Sequence, residues 1–237
     1  VAGLPLVDAY GIEALFVAHG FWLAAFAVIL TLFLRPIEAP PPGALTLSGM
    51  VADHVAIYRS PHISAPAAGW LFYTFCFLAI LTVLPPYIAP DWRTWVMGAM
   101  PLVSIAVSLT LGVLALRIMS AVALIQIGFA LCVVSLLWLW VAPGLPLACM
   151  ALAAALGLVQ GASFAAVPQL NGTADSQAQA YGALAQTGNL GNTVGTPALL
   201  AVLGVAGYPG LVWTAIGVLT CGALVHTWMA ARRKALA

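Results

Sequence analysis

Amide side chains and glycines are concentrated in one stretch of this otherwise apolar sequence, residues 157–197. The stretch has the pattern of two apolar helices joined by a polar turn around Asp175. It contains four amides that need hydrogen-bond partners, which hydrocarbon cannot supply: Gln160, Gln186, Asn189 and Asn192. We expect these amides to line a polar path through a membrane protein and to bind what passes along it. Because none of them is charged, we do not expect them to carry protons.

The second helix of this stretch separates its small residues from its amides. At 100° per residue, one arc of about 60° holds glycines and a neighbouring arc of about 120° holds amides. These are Gly188, Gly191 and Gly195 on the first arc, and Gln186, Asn189 and Asn192 on the second. The glycines permit close helix approach, and the amides serve either as hydrogen bonds between helices or as cavity lining. We favour the cavity, because three amides on one arc exceed what packing needs.

The first helix of the same stretch repeats this arrangement around Gln160. Gly157 and Gly161 form a small face of the G-x-x-x-G type. Gln160 and Phe164 lie on the adjacent arc. Helix packing alone explains the glycines. Gln160, in the middle of an apolar span, is therefore the better candidate for a substrate contact.

An earlier apolar stretch carries aromatic side chains along one stripe of a helix. Trp70, Tyr73 and Phe77 follow helical spacing there. Such a stripe is typical of packing, and Trp70 also suits a membrane interface, whereas the Tyr73 hydroxyl needs a partner if it is buried. The candidate binding residues are therefore Tyr73, Phe77, Gln160, Phe164, Gln186, Asn189 and Asn192.

The composition indicates that membrane helices position these residues. The chain is 64% hydrophobic and 5% charged, with a mean hydropathy of +1.10, whereas soluble domains carry roughly 25% charged residues. No basic stripe, metal-ligand spacing or catalytic motif occurs in the sequence, so we expect no nucleic-acid partner, metal, cofactor or enzymatic activity. The middle of each apolar stretch lacks Asp, Glu, Lys and Arg; we expect His19 to be structural and His226 to be interfacial.

Seven stretches are long enough to cross a bilayer, which takes about 20 apolar residues. They are 14–34, 66–88, 95–116, 119–141, 145–170, 180–206 and 208–230. The only long polar connection is 36–65, in which three prolines at 40–42 break any helix. Residues 45–58 fit either a short surface helix or a solvated linker. The connection is the best candidate for a domain boundary.

The basic residues orient these spans. If the spans alternate in direction, six of the seven lysines and arginines fall on one side and only Arg93 falls on the other. The positive-inside rule places the richer side in the cytoplasm. We therefore expect a cytoplasmic C-terminus and an external start at Val1, in what we expect to be a segment of a longer protein.

One helix, a long cytoplasmic linker and six closely connected helices resemble the second half of a major facilitator superfamily transporter. Three local similarities accompany this layout. YRSPH at 58–62 resembles the basic, proline-containing stretch before the family's seventh helix, and GVLALR at 112–117 is similar to its G-x-L-A-D-R turn. The glycine-rich residues 182–197 resemble its eleventh helix. The resemblance covers essentially the whole chain.

The resemblance implies an all-α integral membrane protein with seven transmembrane helices. Residues 1–35 would be the last helix of an N-terminal bundle, 36–65 the central cytoplasmic linker and 66–237 the C-terminal six-helix bundle. The partners would be the lipid bilayer, a small-molecule substrate and the missing N-terminal six-helix half, in a bacterial inner membrane. Transport would use alternating access, proton-coupled through a group in the missing half.

Proline and glycine positions add candidates for gating. A proline inside a helix removes a backbone hydrogen bond, so it marks either an ordinary kink or a hinge. The candidate gating or hinge residues are Pro101, Gly112, Arg117, Pro168, Gly195 and Pro197.

A complete seven-helix receptor or sensor is the alternative function. Its retinal-binding form requires a lysine within a span, and the only lysine, Lys234, lies in the tail. An intramembrane enzyme would need His, Asp or Glu clustered at membrane depth, and the sequence offers no such cluster. The transporter is therefore the leading expectation.

Overall fold

The computed structural model describes residues 3–34 and 46–236, and the regular elements in this part of the chain are all helical. They are α1 (Gly3–Phe33), α2 (Leu47–Arg59), α3 (Ser64–Val83), a 3₁₀ turn (Pro85–Tyr87), α4 (Pro90–Leu109), α5 (Leu111–Ala115), α6 (Ala121–Val141), α7 (Pro146–Leu170) and α8 (Ala174–Leu236). Six long helical stretches are apolar enough to cross a membrane. The chain is thus an all-α integral membrane protein, as the composition predicts.

The chain divides into two compact units, residues 1–50 and 51–237. In the first unit, Gly11 interrupts α1 with a φ of 80°, and Ala9–Phe33 forms a candidate span. Large apolar side chains such as Phe21 and Trp22 are exposed along it. Arg35 and the triple proline at 40–42 lie outside the described residues. Helix α2 agrees with the surface-helix interpretation of 45–58.

Gly207 divides α8 into two segments, 174–206 and 208–236. Its backbone has φ 62° and ψ −163°, a conformation accessible in practice only to glycine. Along the first segment, later residues contact later residues of α3, with Gly188 beside Trp70 and Gly195 beside Phe75. The first segment and α3 therefore run parallel. Along the second segment, later residues contact earlier residues of α3: Ala215 lies beside Cys76, and the residues after it lie nearer the start of α3. The second segment and α3 therefore run antiparallel. The chain therefore reverses direction at Gly207, as the predicted turn requires.

Small residues bring the helices of the second unit into close contact. Gly191 and Gly195 in the first segment of α8 leave room for the α3 backbone, and Gly157 of α7 does the same for the backbone of Ser104 on α4. Gly128 of α6 faces Val159 of α7, and Gly222 of α8 faces the ring of Phe129. Glycine at a helix crossing allows the closer van der Waals packing that stabilises helices in lipid. At Gly157 this packing brings α4 and α7, two of the helices that carry the candidate site, into close contact.

Basic side chains gather at the end of the second unit where α3 begins. From the end of α8, Arg232 donates a hydrogen bond to the backbone oxygen of Arg59 at 3.1 Å, and Arg233 donates to that of Pro61 at 2.9 Å. These bonds tie the last turns of α8 to the connection between α2 and α3.

The other two described arginines, Arg117 and Arg93, lie at opposite ends of the second unit. Arg117 lies in the turn before α6, and this turn meets the end of α7, where the Ala121 N–H donates to Gln169 Oε1 at 2.8 Å. Arg93 lies at the opposite end, where it donates to Ile88 O at 3.2 Å. Among the described cations, only Arg93 is separated from the basic end.

Candidate ligand-binding site

Gln160 joins three helices at the centre of the second unit. Its Oε1 accepts a hydrogen bond from Tyr73 Oη of α3 at 3.3 Å and one from Ser104 Oγ of α4 at 3.4 Å. Each of the three residues lies near the middle of its span. Tyr73 and Ser104 are buried, whereas Gln160 is half-buried. Both bonds are longer than the usual 2.7–2.8 Å for hydroxyl donors.

The amide nitrogen of Gln160 takes no part in this contact. Among the described residues, Gln160 Nε2 has no hydrogen-bond partner. A donor without a partner at membrane depth costs free energy unless water or a ligand accepts from it. The cluster of Gln160, Tyr73 and Ser104 can therefore bind a group that accepts a hydrogen bond.

An aromatic row runs from α3 across α7 to the first segment of α8. We define it as Phe77, Tyr73, Trp70, Phe164 and Tyr181. The Tyr73 ring stacks on Phe77 at 5.3 Å and on Trp70 at 4.5 Å, and Phe164 meets Trp70 edge-on at 5.2 Å. Tyr181 lies 6.4 Å from Phe164. The row joins rings from three helices and contacts Gln160 through Tyr73.

Sequence reasoning identified part of this row and missed part of it. Tyr73, Phe77 and Phe164 were candidates for binding, and the structure brings all three together with Gln160. Trp70 is 9% exposed and stacked within the row, so the interface interpretation of this residue is wrong. Its i, i+3 spacing from Tyr73 was the signal for the pair. Nothing in the sequence pointed to Tyr181.

Gln186 has partners outside this cluster. Tyr58 Oη of α2 donates to Gln186 Oε1 at 3.0 Å, and Gln186 Nε2 lies 3.1 Å from His54 Nε2. Partial burial raises the pKa of the Tyr58 phenol above its usual value. Gln186 therefore contacts α2 in this structure, and its assignment to a binding site stays a prediction.

Asn189 and Asn192 lie on the next turns of the same helix. Asn189 is exposed and Asn192 is half-buried. Neither side chain forms a hydrogen bond to another residue that the structure describes. The neighbouring Gly191 and Gly195 are buried against α3, as the separation of the glycine and amide arcs predicts.

The candidate hinge residues differ in their burial and in whether the helix is continuous around them. α7 and the first segment of α8 continue as helix through Pro168 and Pro197, both exposed, and α4 continues through the half-buried Pro101. The third span breaks instead at Thr110, between α4 and α5. The remaining candidates are the buried Gly112 in α5, the exposed Arg117 after it and the buried Gly195 against α3.

His226 is buried in the second unit and does not lie at an interface. Its ring occupies the space left by the missing Cβ of Gly69, 6.4 Å from the ring of Phe129, and is 0% exposed. The expectation that His226 is interfacial is wrong, because α8 continues to Leu236 and leaves more than two helical turns after His226. No group of three His, Cys, Asp or Glu residues that could hold a metal ion occurs in the described part of the chain.

Comparison with known proteins adds no assignment. No protein-family model matches this chain, and no curated protein matches it.

Proposed function

We propose that this chain is the C-terminal half of a secondary transporter of the major facilitator type, which moves a small neutral or amphipathic solute by alternating access. The observation that carries the proposal is the contact of Gln160 with Tyr73 and Ser104. It puts a polar group with an unused donor in the middle of three apolar helices. In a membrane bundle with only a structural role, such a group destabilises the fold because its donor has no partner. In a bundle that binds solutes at its midplane, the same donor can bind the solute.

The arrangement of helices supports the same proposal. When α8 is counted as two segments, the six apolar helices of the second unit alternate in direction. A seventh apolar stretch, α1, precedes α2 along the chain. In this proposal α1 is the last helix of the N-terminal bundle, α2 belongs to the central linker, and the second unit from α3 onward is the C-terminal bundle. The basic end of that unit, with Arg59, Arg117, Arg232 and Arg233, faces the cytoplasm by the positive-inside rule.

Energy coupling is proposed to reside outside the segment described here. The middles of the described spans carry no Asp, Glu, Lys or Arg. A charge at that depth costs about 2.5–3.5 kcal/mol on insertion scales, and it usually marks an ion or proton path. The Gln160 cluster binds without such a charge, so a coupling group belongs to the N-terminal half.

The test compares solute movement by the full-length protein and by two glutamine variants. Gln160→Ala removes the shared acceptor of Tyr73 and Ser104, whereas Gln126→Ala removes another half-buried glutamine, on α6, that bonds to Thr227. Cells that express each form at equal level are compared for intracellular solute profiles and uptake rates. We expect Gln160→Ala to abolish an expression-dependent change in at least one neutral solute, with Gln126→Ala behaving like the unaltered protein.

The outcome also separates the transporter from a receptor. Expression-dependent flux of a solute that Gln160→Ala leaves unchanged would remove Gln160 from the site. Saturable binding of a solute without any flux in reconstituted vesicles would contradict transport and favour the seven-helix receptor or sensor.

A further inference from the structure

Gln160 holds an unused donor next to an exposed aromatic ring. Its Oε1 accepts from Tyr73 and Ser104, while Nε2 lacks a partner among the described residues. Phe164 lies one turn later on the same face of α7 and is 42% exposed. We infer that Gln160 and Phe164 form a subsite for a neutral aryl carbonyl compound. The carbonyl oxygen accepts from Gln160 Nε2 and the ring stacks on Phe164, and this inference rests on the transport site proposed above.

The spacing of the two side chains selects the ligand geometry. Residues four apart on a helix have Cβ atoms about 5–6 Å from each other. A carbonyl attached directly to a ring can reach Gln160 while the ring covers Phe164. A carbonyl separated from its ring by a long flexible chain gains no advantage from this spacing, because the chain must lose conformational entropy to bind.

The ring of Phe164 is held in place for stacking. Trp70 meets it edge-on, at 5.2 Å and 74° between the ring planes. Trp70 is in turn stacked on Tyr73 at 4.5 Å, and Tyr73 donates to Gln160. The donor and the ring therefore belong to one connected group of side chains. A flat aromatic ligand meets a surface whose orientation is already set, which favours it over a saturated ring of similar size.

The charge of the surroundings selects a neutral ligand. α3 and α7 contain no Asp, Glu, Lys or Arg, and the charged residues of α4, Asp91 and Arg93, lie in its first turn, far along the helix from Ser104. An ion moved to this position would lose its hydration without gaining a counter-ion from these three helices. A neutral carbonyl gives up far less hydration and regains a hydrogen bond.

Two amides that differ only in ring saturation test the subsite. Benzamide has the flat ring and the carbonyl, and cyclohexanecarboxamide has the same carbonyl on a saturated ring. Saturable binding of radiolabelled benzamide to the full-length protein in lipid nanodiscs is measured, with the saturated amide as competitor. We expect the saturated amide to bind roughly three- to tenfold more weakly, the range that an aromatic pair contributes.

Two variants separate the contributions of the ring and the donor. Phe164→Leu should remove the preference for benzamide, so that the two amides bind equally. Gln160→Met should weaken both amides by about tenfold while keeping their ratio, because it removes the donor and leaves the ring. Gln126→Met is the matched control and should change neither value. A folding defect would lower total binding, but it would not produce these two different patterns.

The result that overturns the inference is distinct from the one that overturns transport. Equal binding of the two amides to the unaltered protein, no saturable benzamide binding, or an unchanged ratio in Phe164→Leu would each refute the aryl carbonyl subsite. Benzamide that binds as described but never crosses a vesicle membrane would leave the subsite in place and refute transport. Flux of another solute, insensitive to excess benzamide, would leave transport in place and refute the subsite.

Discussion

The close approach of α8 to α3 predicts a strong difference between two glycine-to-alanine substitutions on one helix. A Cβ at Gly195 would collide with the backbone oxygen of Phe75, and would lie 2.7 Å from its carbonyl carbon and 2.8 Å from its Cα. These atoms belong to the backbone of α3, so no side-chain rotation relieves the collision. A Cβ at Gly204, on the same segment of α8, meets nothing within 4 Å.

The expected magnitudes have opposite signs. Overpacking a close contact costs about 1–3 kcal/mol, so Gly195→Ala should lower the free energy of unfolding by that amount. Gly204→Ala should raise it by about 0.5–1 kcal/mol, because alanine restricts the unfolded chain and favours helix. The two variants should therefore differ by about 1.5–4 kcal/mol although each adds one methyl group.

The assay is unfolding of the purified protein in mixed micelles by increasing mole fraction of SDS, followed by circular dichroism. Parent protein and both variants are measured at one protein and detergent concentration. Equal unfolding midpoints for Gly195→Ala and Gly204→Ala would refute the proposed contact between α8 and α3. A loss of stability in Gly204→Ala alone would indicate that the glycine face of α8 has been assigned to the wrong side.

Three further substitutions test other contacts of the second unit by the same unfolding assay. Gly207→Ala should cost about 1–3 kcal/mol, because φ 62° with ψ −163° suits glycine alone, whereas Gly217→Ala, with nothing within 4 Å of an added Cβ, should not destabilise. Tyr208→Phe should cost about 1 kcal/mol through loss of the 2.7 Å bond to Leu139 O; an unchanged midpoint would contradict that bond. Asn171→Leu removes the donor to the backbone oxygens of Val167 and His62 and should cost about 1–3 kcal/mol; an unchanged midpoint would contradict these two bonds.

The span pattern could be predicted from the sequence because lipid leaves few alternatives. Each predicted stretch overlaps a helix, since an apolar run in lipid must satisfy its backbone internally. The end at Pro85 and the start at Pro146 follow from proline chemistry. The extension of α8 to Leu236 was not predictable from hydropathy, because Arg232, Arg233 and Lys234 interrupt the apolar run. The helix nevertheless continues there, where Arg232 and Arg233 bond to backbone oxygens before α3.

The candidate site was predictable residue by residue, but its grouping was not. Helical periodicity indicates which side chains share a face, so it identified Gln160 with Phe164 and Tyr73 with Phe77. It does not specify which face of one helix meets which face of another. The bonds from Tyr73 and Ser104 to Gln160, and the partners of Gln186, depend on that packing and emerged only with the structure.

In the proposed transport cycle the Gln160 site opens to the two sides of the membrane in turn, and cysteine accessibility measures this without a known substrate. Phe164→Cys is introduced into the full-length protein with the exposed Cys221 replaced by serine; Cys76, Cys132 and Cys149 are buried. Leu224→Cys, 61% exposed on α8, serves as a control at a position proposed to face lipid.

A membrane-impermeant thiol reagent is applied to right-side-out and to inside-out vesicles, and modification of each single cysteine is quantified by mass spectrometry. Alternating access predicts that the cysteine at position 164 reacts from both sides, while the one at position 224 reacts from neither. Reaction at position 164 from one side only, or from neither, would contradict the account.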